Sequence, residues 1–270
     1  MIQNSLLNIA TKIICIAGNI LTKNLITLRN IKINTKKKEY YELIINKIKQ
    51  FIILNINKKY PKHKILINNY NYINESSIWI IDLIDGINNY IKGFPFYCIS
   101  IAYQKNNKIK HAIIYNPAQK EYFITNKGNG SQLNNYRIRV SQTYNLNSAL
   151  IGIEFSSKNI SLKNQYLFSL NTLLKQNANI RKIGSIALTL AYVACGKLDG
   201  TLIFNDNIKN IISGSLLIKE SGGLIINIKK TKSIKINYFT NECYIIAGNP
   251  KIFKILLQIT ESFSQSKNVF

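Results

Sequence analysis

No stretch of this chain constrains its fold and chemistry more than WIIDLIDGINNY, from Trp79 to Tyr90. The chain contains four Asp, and two of them, Asp82 and Asp85, close an apolar run just ahead of Gly86. An apolar strand ending in Asp, two apolar residues, Asp and Gly brings two carboxylates to its carboxyl end, where the chain must turn. Hard oxygen ligands at that spacing suit Mg²⁺, with the carbonyl of Leu83 as a further ligand. The same two Asp also suit a turn that they simply cap. Spacing alone leaves both readings open.

The rest of the chain supplies the frame for that strand. Apolar residues three and four apart predict helices over Leu6 to Leu25 and Tyr40 to Ile56, with Lys36, Lys37 and Lys38 in a solvated loop between them. Strand-like segments follow at Trp79 to Asp82, Phe96 to Tyr103 and Lys110 to Tyr115, and KGNG at Lys127 to Gly130 supplies a hairpin turn. The second half alternates. It reads as a strand at Ala149 to Phe155, a helix near Leu162 to Lys175, a short strand before Gly184 and a helix from Ser185 to Cys195. A strand near Thr201 to Phe204, a helix from Ile208 to Glu220, strands to about Ala247 and a closing helix from Pro250 complete it. This order predicts an α/β (α+β layered) fold in which sheets are covered by helices. Residues 1–270 read as one unit, with a crease near residue 145 between an α+β half and an α/β half.

Composition excludes several classes. With 46% hydrophobic residues, 16 Tyr and 11 Phe, the chain has the material for a core that a disordered segment lacks. Its most apolar early stretch, Ile13 to Gly18, is far short of the roughly 20 residues that span a bilayer, so no transmembrane helix is expected. Met1 to Ala10 carries no Lys or Arg and does not read as a signal peptide, which makes the expected location cytoplasmic. Cys15, Cys98, Cys195 and Cys243 are scattered without a CxxC pair, and reduced, buried thiols are the expected state. His63 and His111 are too few and too far apart in sequence to suggest catalysis. Phe94, Phe96 and Tyr97 are expected in the core, and INNYNYIN in a lengthened surface loop.

The net charge of +24 is a weaker guide. The chain has 52 Ile against 3 Val, 32 Lys against 4 Arg, and 37 Asn. Ile and Val are near-equivalent in strands, as Lys and Arg are on solvated faces. A preference this strong within each pair points to A/T-rich coding bias, so part of the charge is bias too.

WIIDLIDGINNYIKGFPFYCISIAY resembles the WxIDPxDGTTNFxxxxPxxxVSIA signature of the inositol monophosphatase family, and IKNIISGSLLIKESGG resembles its second signature, WDxAAGxxxxxEAGG. AGNILTKN, YPKH, YNPAQKEYF, KGNGSQLNNYRIRVS, GSIALTLAYVACGKLDG and IIAGNPKI follow in the family's order, closest to its bacterial SuhB branch. The resemblance implies a layered sandwich of alternating helix and sheet layers that commonly dimerises. It also implies a Mg²⁺-dependent phosphatase for inositol monophosphate or a similar small phosphomonoester. In the SuhB branch it implies in addition a Nus-type factor in ribosomal RNA transcription.

Mapped residue by residue, the resemblance places the first metal ligands at Asp82, Leu83 (through its carbonyl) and Asp85. It places a substrate-facing turn at Asp85, Gly86, Ile87 and Asn88, with Gly184 and Ser185 in a loop beside it. The remaining roles fall on residues that cannot fill them. The metal-binding Glu falls on Asn68 with Asn69 beside it, the water-positioning Thr on Ile87, and the Asp of the second signature on Asn210 with Lys209 in place of its Trp. A further Asp falls near Ile45 and a sugar-contacting acid near Ile203. At an effective dielectric of about 20, each charge at 4 Å is worth on the order of 4 kcal/mol, so Mg²⁺ is expected to be held weakly or not at all. Losing a water-positioning group costs a further factor of about 10² to 10⁴ in rate. The resemblance therefore implies an impaired enzyme retained for its contacts, with NusA, RNA polymerase or RNA as partners and a homodimer as the assembly. Arg137, Arg139, Arg181 and Lys182 are the contact candidates, because Arg is scarce in this chain.

Overall fold

The computed structural model describes residues 5–67, 75–156, 159–205, 211–229 and 243–266. Its first two elements are antiparallel-packed helices, α1 (Ser5–Asn30) and α2 (Asn34–Lys59). α2 buries Ile44, Ile48, Ile52 and Ile56, one residue per turn along a single stripe. Lys36 and Lys38 are exposed as expected and Lys37 is half-buried, but all three lie in the first turns of α2, not in a loop. α1 is, by length and composition, apolar enough over Leu6–Asn30 to cross a membrane, which the short stretch singled out in the sequence understates. Its apolar face has another use. Ile13, Ile14, Ala17, Leu21 and Leu28 are buried against α2 and the first sheet.

That sheet has seven strands in chain order: β1 (Lys64–Ile67), β2 (Ser77–Asp85), β3 (Cys98–Lys105), β4 (Lys108–Asn116), β5 (Glu121–Asn126), β6 (Ser131–Leu133) and β7 (Tyr136–Ile138). β1 is parallel to β2 and the others are antiparallel. A short helix, α3 (Ile87–Lys92), follows β2. The second sheet has the order β11-β12-β10-β8-β9, from β8 (Leu150–Ser156), β9 (Asn179–Arg181), β10 (Gly200–Asn205), β11 (Leu224–Lys229) and β12 (Cys243–Gly248). α4 (Ile160–Lys175), capped by Asn159 Oδ1 accepting from the Ser161 and Leu162 amides, joins α7 (Pro250–Ser266) on its outer face. α5 (Ile186–Ala194) and α6 (Ile212–Glu220) lie between the two sheets, touching β4 on one side and β11 or β12 on the other.

The layers therefore run helix, sheet, helix, sheet, helix, which is the expected α/β sandwich. The middle layer is nearly dry: every residue of α5 is buried, as are Ile212 to Ile218 of α6. Gly214 makes this possible, because a Cβ there would stand 2.5 Å from Leu190 Cβ. One smaller expectation fails, at Phe94. Phe94 is 60% exposed, and only Tyr97 of the three nearby aromatic residues is fully buried. INNYNYIN lies, after Ile67, outside the described residues.

The two His share one aromatic cluster despite their separation in sequence. His63 stacks on Tyr60 at 4.8 Å and Tyr103 at 5.4 Å, and Tyr103 stacks on His111 at 5.8 Å. Trp79 Nε1 donates to His63 Nδ1 at 3.1 Å, so this nitrogen must be unprotonated. Burial lowers the His63 pKa, and Lys105 adds to it. A lowered pKa means the neutral form is favoured by folding. The contribution to stability is full above the ordinary His range and is lost as pH falls through the folded value. Trp79 is the only Trp, so its emission should titrate with one inflection below pH about 6.5 as the imidazolium forms. His63→Gln should abolish that inflection, and its persistence would show that another group reports.

Candidate functional site

β2 carries both Asp to one end of the first sheet because its alternating faces are both covered, by α1 and α2 on one side and α6 on the other. Asp82 pairs with Ser100 and Asp85 with Cys98, so β2 carries one extra residue there. A bulge of this kind re-aims side chains at the end of a strand. Gly86 then turns the chain at φ +85°, and a Cβ on it would stand 2.6 Å from the Phe96 carbonyl oxygen. No other residue type fits that turn.

The two carboxylates are almost fully buried, at 3% and 7% exposure. Asp85 Oδ2 accepts from Ser185 Oγ and from the Ala187 amide, each at 2.7 Å. It thus sits at the N-terminus of α5, where the helix dipole favours a negative charge. Asp82 Oδ1 accepts from the Ile84 amide at 3.4 Å. Both Asp therefore have structural partners, and both also face an open cleft of about 470 Å³. Leu83 buries its side chain in the apolar core, which leaves only its carbonyl for a ligand.

The opposite wall comes from the second sheet. Glu154, near the carboxyl end of β8, accepts from the Ile183 amide at 2.8 Å, the Gly184 amide at 3.0 Å and Thr189 Oγ1 at 2.9 Å. Asn89 completes the junction by donating through Nδ2 to the carbonyls of Phe96 and Ile183. The cleft thus lies where the carboxyl ends of β2 and β8 meet the 183–185 loop. Burial pushes the Glu154 pKa up, against the hydrogen bonds from Thr189, Gly184 and Ile183, and the Asp85 charge pushes the same way as burial. Burial, and then Asp85, raises the Cys98 thiol well above its ordinary value, so this thiol is inert. Burial raises Tyr41 to about 12, with Asp82 adding to it.

Of the residues singled out from the sequence, the structure brings Asp82, Asp85, Gly86, Ile87, Asn88, Gly184 and Lys182 to this cleft. Ser185 is buried behind its wall, with its hydroxyl bound to Asp85. Ile87 is 43% exposed at the start of α3, so an apolar side chain stands at the mouth of a polar site. Ile203 is fully buried, and Ile45 packs on the core from within α2. Asn68, Asn69, Lys209 and Asn210 lie outside the described residues. The four contact candidates do not form one patch: Arg181 is on the edge strand β9 and Lys182 in the cleft, while Arg137 and Arg139 sit at the far edge of the first sheet. Glu154 was missed by sequence reasoning. A lone acid inside the apolar strand IGIEF was the signal for it.

A model of the inositol monophosphatase family matches residues 2–265. Nus factor SuhB of Buchnera aphidicola subsp. Schizaphis graminum is 37% identical over 269 residues, covering 97% of this chain and 98% of that protein. Nus factor SuhB of Escherichia coli strain K12 is 31% identical over 259 residues, covering 94% and 95%. Among solved structures, the extragenic suppressor protein SuhB of Bartonella henselae superposes with a TM-score of 0.81 at 27% identity, covering 95% of this chain and 98% of that one. The IMPase of Thermotoga maritima superposes with a TM-score of 0.81 at 24% identity, covering 97% and 99%, which bears on the fold alone.

Proposed function

The chain belongs to the inositol monophosphatase family, and we propose that within it this protein is a SuhB-like Nus-type factor of ribosomal RNA transcription whose phosphatase chemistry is lost or vestigial. The observation that carries this reading is Ile87. It lines the cleft beside Asp82 and Asp85, where the resemblance calls for a hydroxyl, and it has no atom able to hold a water. The family is generally Mg²⁺-dependent. Asp82, Asp85 and the Leu83 carbonyl are the groups that would hold such an ion. Among the described residues no group of three or more His, Cys, Asp or Glu is placed to do so, and one Asp85 oxygen is already bound to Ser185 and Ala187. These donors fall short of a two- or three-ion centre.

In this reading the framework is kept for its contacts with NusA, RNA polymerase and RNA, as one cytoplasmic domain that pairs into a homodimer. Arg137, Arg139, Arg181 and Lys182 are the side chains offered to those partners. A second reading, a residual phosphatase for inositol monophosphate or a similar small phosphomonoester, draws support from the persistence of the cleft and its paired carboxylates.

The two readings differ in one assay. Pure protein given inositol monophosphate and Mg²⁺ should release phosphate at the background rate, and turnover near that of an intact family member would sink the proposal. The transcription role is tested by whether the tagged chain co-purifies with the elongation complex, and its absence there would remove that half of the reading.

A further inference from the structure

The KGNG hairpin between β5 and β6 holds the only Asn–Gly step in the chain, although Asn occurs 37 times. Asn–Gly is the step most open to spontaneous deamidation, because a residue without Cβ lets its backbone nitrogen approach the preceding side chain. Asn129 is exposed and Gly130 takes φ +80°, so burial does not protect the pair. The neighbouring charge also favours the reaction. A Cβ on Gly130 would stand 3.5 Å from Arg137 Nη2 and 3.7 Å from Arg139 Nη1, and guanidinium groups this close favour a backbone nitrogen that has lost its proton.

One side chain opposes it. Glu220, the last residue of α6, accepts from the Gly130 amide through Oε2 at 3.1 Å and from the Gly128 amide through Oε1 at 2.9 Å. Thr125 Oγ1 donates to the Gly130 carbonyl at 3.2 Å, so Gly130 is held at both its N–H and its C=O. The nitrogen that would have to attack therefore keeps its proton in a hydrogen bond to a carboxylate, one of the stronger kinds, and is tied to α6. Attack on a side chain needs the opposite, a free nitrogen in contact with the carbon it attacks.

We propose that Asn129 is a self-modification site and that Glu220 is the latch that keeps it unreacted. When the Gly130 N–H leaves Glu220 and gives up its proton, the nitrogen attacks Asn129 Cγ. The new C–N bond forms as the Cγ–Nδ2 bond breaks, and ammonia departs with the proton, leaving a cyclic imide. Water then adds at either carbonyl of the imide and opens it to aspartate or isoaspartate at position 129. Both products work against the latch. The new negative charge repels Glu220, and isoaspartate adds a methylene to the main chain, which carries the Gly130 amide away from Oε2. The change therefore runs one way and unfastens the hairpin from α6, a helix of the buried middle layer.

The test is peptide-mapping mass spectrometry of the full chain during incubation in mildly alkaline buffer, with the free peptide KGNGSQL as reference. The folded chain should deamidate at least about tenfold more slowly than the peptide, because a hydrogen bond to a charged group must first be released. Glu220→Ala should accelerate the reaction at least about fivefold, and Glu220→Gln, which keeps one acceptor oxygen, should fall between. Exchange of the Gly130 amide hydrogen should quicken in the same order. Ser131→Ala is the control. Ser131 Oγ donates to the Leu217 carbonyl at 2.9 Å, a second tie between hairpin and α6 that leaves the Gly130 N–H untouched. Its loss should change the rate by less than about twofold, since the rate follows local release of that one N–H. Asn129→Gln should abolish the mass change, which assigns it to Asn129 and not to Asn134 or Asn135.

A folded chain that deamidates at the rate of the peptide would show that nothing restrains Gly130 and overturn the proposal. A Glu220→Ala chain that stays as slow as the wild type would overturn it too, because the brake would then lie elsewhere. Equal acceleration by Ser131→Ala would mean general loosening of the hairpin and have the same consequence. If Glu220→Ala loses its fold by circular dichroism, Glu220→Gln carries the comparison in its place.

Discussion

Asn68→Glu, Ile87→Thr and Asn210→Asp made together should raise Mg²⁺-dependent phosphate release from inositol monophosphate at least about 10²-fold over the wild-type chain, while Ile87→Thr alone should stay at background. The two acids act on the metal and the hydroxyl acts on the water, so neither change helps without the other. Each restored carboxylate near 4 Å from a cation is worth on the order of 4 kcal/mol per unit charge at an effective dielectric of about 20. A restored water-positioning group contributes a further factor of about 10² to 10⁴. Ile87 is 43% exposed at the first position of α3, so Thr fits there without repacking. Phosphate release at a series of Mg²⁺ concentrations checks this. No gain in the triple variant would mean that the cleft lacks more than these three side chains, and full turnover from Ile87→Thr alone would mean that the acids were never needed.

The second large effect concerns stability without any metal. Asp85→Ala should destabilise the metal-free protein by about 3 kcal/mol, which for a chain of this size lowers Tm by roughly 6 to 12 °C. The reason is that Asp85 accepts two 2.7 Å hydrogen bonds at the N-terminus of a fully buried helix. Removing it leaves the Ser185 hydroxyl and the Ala187 amide buried without their acceptor. Asp85→Asn, which keeps one acceptor oxygen, should lose about half as much. A residue held only for a cation would behave in the opposite way. Its removal would relieve repulsion from Asp82 and Glu154 and raise Tm in chelator-treated protein, so the sign of the shift in thermal unfolding separates a structural anchor from a pure ligand.

Where the sequence pattern is local, it carries through to the structure. The isoleucine stripe of α2, the alternation of strand and helix after residue 149 and the turn at Gly86 are each set by neighbours within a few residues. Errors arose where a local pattern had two outcomes. Lys36 to Lys38 read as a loop because charge runs are solvated, but a helix face is solvated as well, and α2 begins at Asn34. Phe94 read as core because it is aromatic, yet the turn after α3 leaves it in solvent. The site was legible in part. Asp82, Asp85 and Ile87 follow from one motif, while Glu154 belongs to a strand whose apolar pattern masked it.

The sequence by itself determined the periodicities, the paired carboxylates at a strand end and the resemblance to the family. All of these are properties of residue type and spacing. Only the tertiary structure decided that Asp85 meets Ser185, a hundred residues on, that Glu154 braces the loop opposite, that both His share one stack, and that Arg137 and Arg139 close on Gly130 beside an occupied Glu220. These partners are fixed by how five layers pack, and packing brings together groups that no local period relates.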